Sequence, residues 1–270
     1  MGIRLGDENM FDFTTKQIDE RINQVKEYRD KVIDADNAGL NRVLHEHEGT
    51  SDYIRKYDDL SNVFESVAKV ALYFNNDIGT FKGNFYLAAK AGDICFKLYD
   101  KGYRTHSPIC SNSGFEKRNN SFHYAVFAIL AGSEELAKSI TLEDSLLGSI
   151  LMGEYEKAKD YLPQNIKDIP SFEDFDLILW TIIYNDEKKF QKYVEKRIKS
   201  QRNYAKKCGY VRTYMDEGTL ALIKLARKRG MNCNLNIIEL PMHVLDDNNP
   251  VNEEEWKLPE DKEIAEMLGI

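Results

Sequence analysis

The middle of the chain repeats one pattern three times: an apolar helical run ends at a small or polar residue, and a charged, amphipathic run begins immediately. An apolar helix followed at once by an amphipathic one is typical of a helical hairpin, because antiparallel packing covers the apolar helix. The pattern therefore predicts stacked helical hairpins, which is an architecture and not a reaction. The three pairs are Phe122–Ala131 with Ser133–Ile140, Leu146–Met152 with Glu154–Leu162, and Phe172–Tyr184 with Asp186–Ile198.

The remainder of the chain also favours helices. Only six prolines and sixteen glycines occur in 270 residues, and alternating apolar and polar runs are scarce. Apolar residues from Leu60 to Phe74 follow helical spacing, and a second helix is predicted over Phe81–Lys101 after a break at Asn75-Asn76-Asp77 and Gly79. We predict an all-α fold of irregular stacked helical hairpins, solenoid-like or a multi-helix array, with little or no β-sheet.

The breaks between helical runs are unevenly spaced, so a repeat of fixed period is not expected. We predict one helical domain over residues 1–245 and an acidic C-terminal tail over residues 246–270 that docks on it. Local signals mark several helix ends: Ser133 is a predicted N-cap, and Gly230 a predicted left-handed C-terminal cap. Thr141-x-x-Asp144 and Ser171-x-x-Asp174 match the capping-box pattern.

Charge is distributed unevenly along the chain. The net charge is −8, yet fourteen Lys/Arg and five Asp/Glu lie between Asp186 and Gly230, which leaves 23 bases and 40 acids elsewhere. Such polarity favours electrostatic steering toward a partner. The alternative is that the basic helix lies beside acidic neighbours within the same molecule.

The sequence contains no strong catalytic or metal-binding motif. In His45-Glu46-His47-Glu48 the two imidazoles are two residues apart and point away from each other on a helix, so we expect no metal site. The four cysteines are far apart and expected to be reduced, with Cys95 a small buried hydrophobe. His123 is predicted to pack or cap instead of acting as a base. We expect no cofactor and no small-molecule substrate.

The basic stretch Lys188–Lys207 has the composition of a nucleic-acid surface, with Tyr193 and Tyr204 interleaved. However, Phe190, Tyr193, Val194 and Ile198 fall on one helical stripe, which indicates core packing, so we expect no nucleic-acid partner. The N-terminus lacks the pattern of a signal peptide, and nowhere do eighteen apolar residues run uninterrupted. We therefore expect no membrane association and a cytoplasmic location.

Three segments resemble the bacterial toxin-immunity family named immunity protein 49: Phe122–Ala137, Leu146–Ala158 and Thr219–Met231. The resemblance extends from about Ile18 to Leu245. It implies an all-helical, cytoplasmic, non-enzymatic protein that binds a cognate bacterial toxin and neutralises it by occlusion. No catalytic residue carries over from the family, because its function is binding.

Two other functions are compatible with the sequence. One is a helical-repeat scaffold for another cellular partner, and the other is an enzyme with a site near Tyr103–His106, in the polar segment that follows the second long helix. For partner binding we predict a set of charged residues: Asp58, Asp59, Arg104, His106, Asp246 and Asp247.

Overall fold

The computed structural model describes residues 53–103, 117–141, 144–170, 174–208, 215–233, 235–237, 239–246, 249–258 and 268. This part of the chain is 73% helical, with ten α-helices and no strand, so the predicted all-α fold is confirmed. An isolated antiparallel bridge joins Ile237 to Leu240. None of the helices in the described ranges combines the length and the apolar character that crossing a bilayer requires.

Contacts group the chain into two compact units. The first unit comprises Arg29–Leu142 and Asn249–Ile270, and the second comprises Met1–Tyr28 and Glu143–Asn248. Residues 143–248 of the second unit are thus inserted between the two segments of the first unit. The single helical domain over residues 1–245 stays a prediction.

The described part of the first unit contains four helices: α1 (Tyr53–Asn75), α2 (Ile78–Asp100), α3 (Lys117–Ala131) and α4 (Glu134–Ile140). Helix α2 packs against both α1 and α3. Three fully buried rings lie at the centre: Phe81 is edge-on to Phe85 at 4.7 Å between centroids, and Phe85 stacks on Phe127 at 5.2 Å. Cys95 is buried in α2 as predicted, and its thiol donates to the Ile54 carbonyl oxygen at 3.4 Å.

The turn between α1 and α2 is shorter than predicted. Asn76 adopts a left-handed conformation with φ 49°, and the Asp77 carboxylate accepts a hydrogen bond from the Thr80 amide at 2.9 Å. Because Asp77 caps the helix, α2 begins at Ile78 and Gly79 lies inside its first turn. The break predicted to include Gly79 therefore ends two residues earlier.

Six helices and two 3₁₀ turns form the described part of the second unit. Helix α7 is apolar nearly all round, and Leu177–Ile183 are buried as its sequence predicts. It packs against α8 and α9. The elements are α5 (Leu146–Leu151), α6 (Tyr155–Ala158), the turns Lys159–Tyr161 and Ile166–Asp168, α7 (Asp174–Ile183), α8 (Glu187–Cys208), α9 (Glu217–Lys228) and α10 (His243–Asp246).

All three predicted hairpin breaks are present, but one helix is shorter than expected. Gly132, Gly153 and Asn185 have positive φ angles and separate the paired helices. The run Glu154–Leu162 was predicted to be one helix, whereas α6 ends at Ala158 and continues as a 3₁₀ turn. The following Pro163 disfavours helical geometry at Leu162, which is extended.

Ser133 is the N-cap residue of α4 as predicted, whereas the cap predicted at Thr141 is wrong. Ser133 occupies the N-cap position of α4 but makes no side-chain cap hydrogen bond, because its hydroxyl donates to Glu253 Oε1 at 2.6 Å. Thr141 does not begin a helix; it ends α4, and its hydroxyl donates to the Ala137 carbonyl oxygen. Ser145 caps α5 instead, accepting from the Gly148 amide at 3.0 Å. Ser171 and the motif His45–Glu48 lie outside the described residues.

Candidate protein-binding surface

The structure brings two of the six predicted partner-binding residues together. Asp58 and Asp59 are adjacent on α1 in the first unit, whereas Asp246 ends α10 in the second unit, where its carboxylate accepts from Arg227 Nη1 at 2.7 Å. The other three predicted residues, Arg104, His106 and Asp247, lie outside the described residues, as does most of the enzyme site considered near Tyr103.

Asp58 is more constrained than an exposed acidic pair would be. It is half-buried, and the hydroxyl of the buried Tyr124 donates a hydrogen bond to its Oδ1 at 2.6 Å. Burial raises the pKa of the Asp58 carboxyl above its ordinary value, the Tyr124 hydrogen bond opposes that rise, and Asp59 adds to it. Burial in the folded protein therefore disfavours the ionised form of the Asp58 carboxyl.

Tyr124 is fixed from behind by α2. A Cβ atom added at Gly92 would overlap the Tyr124 ring, so the ring can pack here only because residue 92 is a glycine. The ring also meets Phe96 edge-on at 5.5 Å between centroids. Two residues of α2, Gly92 and Phe96, thus position the ring whose hydroxyl contacts Asp58.

His123 lies beside Tyr124 and closer to solvent. Its side chain is 51% exposed, its ring meets Phe127 edge-on at 4.4 Å, and Nε2 lies 3.9 Å from Glu65 Oε2. Partial burial of the ring lowers the pKa of His123, while the neighbouring Glu65 and Asp58 act in the opposite direction. The predicted packing of this histidine is observed in its contact with Phe127.

The acidic α1 face is defined as Asp58, Asp59 and Glu65 with His123, beside the buried Tyr124, whose hydroxyl contacts Asp58. Glu65 Oε1 also accepts a hydrogen bond from Lys69 Nζ of the same helix. Asp59 pairs with Arg55 of the same helix at 3.8 Å, with side chains 38% and 50% exposed. Exposed pairs of this kind contribute little, so an incoming cation can replace Arg55 at small cost. Carboxylates beside aromatic rings can bind a lysine or arginine of a partner through charge-assisted hydrogen bonds and cation–π contacts.

The second unit uses part of its positive charge internally. Arg197 Nε donates to Asp216 Oδ2 at 2.8 Å, and Arg202 Nε donates to Glu239 Oε1 at 2.7 Å. For these two arginines, the alternative that basic residues lie beside acidic neighbours of the same molecule is correct. The predicted core stripe of α8 is confirmed for Phe190, Val194 and Ile198, which are fully buried, whereas Tyr193 is half-buried and Tyr204 exposed.

Sequence reasoning missed the partners of these charges. Tyr124 carries no local signal for a contact with Asp58, which is 66 positions away. Asp216 does carry one, since an aspartate three residues before Thr219 at the start of an apolar helix is a capping pattern. That pattern predicts the cap and not the arginine bound to the same carboxylate.

Replacing Tyr124 with Phe is expected to lower the free energy of unfolding by about 1–3 kcal/mol, because the half-buried Asp58 carboxylate loses this donor. The pKa of Asp58 should rise further, since the hydrogen bond holds it down. Denaturant unfolding and a carboxyl NMR titration measure the two effects. Tyr161→Phe, at a tyrosine 36% exposed, is the control. Unchanged stability together with an unchanged Asp58 pKa would contradict the assignment of this contact.

Comparison of the chain with protein-family models, with curated proteins and with solved structures finds no match. In the described part of the chain, no group of three or more His, Cys, Asp or Glu side chains is placed to hold a metal ion. A functional proposal therefore rests on the sequence and geometry of the chain itself.

Proposed function

We propose that this chain is an immunity protein that acts in the cytoplasm by binding a cognate bacterial toxin and blocking it by occlusion, without catalysis. The observation that carries the proposal is the acidic α1 face, where Asp58, Asp59 and Glu65 lie beside Tyr124 and His123. The sequence resemblance to the immunity protein 49 family and the excess of acids outside residues 186–230 support it.

The electrostatics of Asp58 favour a cationic partner. Its raised pKa reflects a carboxylate that burial disfavours in the ionised form. A lysine or arginine placed nearby stabilises that form, so the unfavourable energy present in the free protein becomes a gain on binding. Tyr124 keeps the carboxylate oriented before the partner arrives, which limits the ordering cost of association.

The wider charge distribution has a kinetic consequence. Outside residues 186–230 the chain holds 40 acids and 23 bases, so a basic toxin is attracted over distances of about one Debye length, on the order of 10 Å. Steering of this kind raises the association rate more than the final affinity. The proposal therefore predicts a rate that depends on salt.

Reversing the charge of the acidic α1 face with Asp58→Lys and Asp59→Lys is expected to slow association with the toxin at low salt by about tenfold or more. The measurement is stopped-flow or surface-plasmon kinetics with the purified cognate toxin, whose gene the proposal expects beside that of this protein. The variant must first show wild-type helical circular dichroism.

A matched control reverses charge elsewhere. Glu135→Lys and Glu156→Lys also change two acids, each 87% exposed and paired with the lysine three residues later. We expect this variant to stay within about threefold of the wild-type rate, because it leaves the proposed contact intact. Equal slowing by both variants would show that net charge alone acts and would remove the acidic α1 face from the proposal.

A further inference from the structure

The returning segment of the first unit, residues 249–258, lies against the helices as a strap. Among these residues only 253–255 form a turn, and the strap contains no helix or strand. Its Trp256 indole packs directly over Gly83 of α2, where an added Cβ atom would overlap the ring. Gly83 therefore provides the surface depression that the indole fills.

Two donors from separate elements hold the carboxylate of Glu253. Tyr86 of α2 donates its hydroxyl to Oε2 at 2.9 Å, and Ser133, between α3 and α4, donates to Oε1 at 2.6 Å. Tyr86 and Ser133 are buried. Burial raises the pKa of Tyr86 well above its usual range, and the Glu253 charge adds to the rise, so the phenol stays a donor. Each carboxylate oxygen thus receives its own hydrogen bond.

Two contacts to the main chain of the strap fix its direction. Lys82 of α2, only 4% exposed, donates from Nζ to the Asn249 carbonyl oxygen. The Val251 amide donates to the carbonyl oxygen of Ala131, the last residue of α3, at 3.2 Å. A buried ammonium group is costly unless it is hydrogen-bonded, and the strap supplies one of its acceptors.

These contacts have the form of a recognition site. Covering α2 would require only apolar side chains, whereas here three buried polar side chains, Lys82, Tyr86 and Ser133, point at the strap. Ser133 contacts Glu253 in place of capping its own helix, α4. The strap has no helix or strand of its own to break, so its release costs only these contacts, and a competing chain that makes the same contacts can replace it.

We propose that this surface is a peptide-recognition site for a glutamate followed three residues later by a tryptophan, the pattern of Glu253 and Trp256. The strap occupies the site in cis, and a partner protein that carries the same pattern displaces it. Backbone contacts hold the entering chain, and the carboxylate and indole pockets give specificity. The inference is independent of the proposed toxin binding, because it uses no residue of the acidic α1 face.

The test is a fluorescence-anisotropy titration of a labelled peptide of residues 247–258 into full-length protein. In the variant Glu253→Gln with Trp256→Ala the strap is weakened and the site freed. We expect this variant to bind the peptide at least about tenfold more tightly than wild type, whose own strap competes. Adding Tyr86→Phe to the variant should weaken binding about tenfold, because one of the two carboxylate donors is lost.

The peptide itself provides the matched controls. A peptide with Glu253→Gln should bind about tenfold more weakly, whereas one with Glu254→Gln, which leaves both hydrogen bonds to the Glu253 carboxylate in place, should bind as the parent does. If the double variant loses its helical circular dichroism, Glu253→Gln alone replaces it in the same titration.

Two results would overturn the proposal. One is a folded, strap-weakened variant that shows no saturable peptide binding up to about 1 mM, the effective concentration that a short tether supplies in cis. The other is a strap that exchanges only between copies of this chain, seen as a dimer in sedimentation without binding of free peptide. Binding that ignores the Glu253→Gln change in the peptide would refute the carboxylate pocket.

Discussion

Replacing Ile178 with Asp is expected to unfold the second unit. Ile178 lies in the middle of α7 and is fully buried, within the buried run Leu177–Ile183. A carboxylate there must either stay charged among buried side chains or take up a proton. Either outcome costs more than about 4 kcal/mol, a large part of the stability of an ordinary domain.

Thermal unfolding followed by circular dichroism measures the effect. Ile178→Val is the matched control, because it removes one methylene and should cost only about 0.5–1.5 kcal/mol. A soluble Ile178→Asp protein with wild-type helical content and melting temperature would show that α7 is not the centre of this unit.

Asp216→Ala is expected to lower the free energy of unfolding by about 3–5 kcal/mol, because the change leaves a largely buried arginine without its carboxylate. Asp216 caps α9, accepting from the Thr219 amide at 3.0 Å and the Thr219 hydroxyl at 2.7 Å. The same carboxylate accepts from Arg197, whose guanidinium lies 3.7 Å from the centre of the Phe175 ring. One substitution thus removes a cap and a charge pair together.

Asp186 provides a close control. It caps α8, accepting from the Lys189 amide at 3.1 Å, and it also pairs with Lys189, but these side chains are 29% and 45% exposed, against 5% and 16% for Asp216 and Arg197. Asp186→Ala should therefore cost only about 1 kcal/mol, the value of an ordinary N-cap. Urea denaturation of the two variants gives the comparison. Equal losses would mean that Arg197 adds nothing to the role of Asp216 as a cap.

The helices of this chain follow from local signals. Apolar periodicity places α1, α2 and α9, and residues that tolerate positive φ mark the breaks, as at Gly132, Gly153 and Gly230. Where two cap signals lie close together, local pattern does not decide between them. Thr141 and Ser145 are both acceptable caps, and only the packed structure shows that Ser145 begins α5.

The candidate sites depend on contacts that no local pattern contains. Ser133 and Glu253 are 120 positions apart. The local sequence predicts only that Ser133 is an N-cap, because a serine hydroxyl at that position can bond to a backbone amide of its own helix. Asp58 and Asp59 were predicted as partner-binding residues from their charge. The burial of Asp58 and its bond to Tyr124 follow from how α3 packs near α1, which periodicity alone does not specify.

The proposed neutralisation is tested most directly by growth of cells that express the cognate toxin, whose gene the proposal expects next to this one. We expect co-expression of the wild-type chain to restore growth, the Glu135→Lys and Glu156→Lys variant to restore it equally, and the Asp58→Lys and Asp59→Lys variant to fail at matched protein levels. Cells that stop growing despite abundant, folded wild-type protein would contradict the proposal that this chain neutralises that toxin.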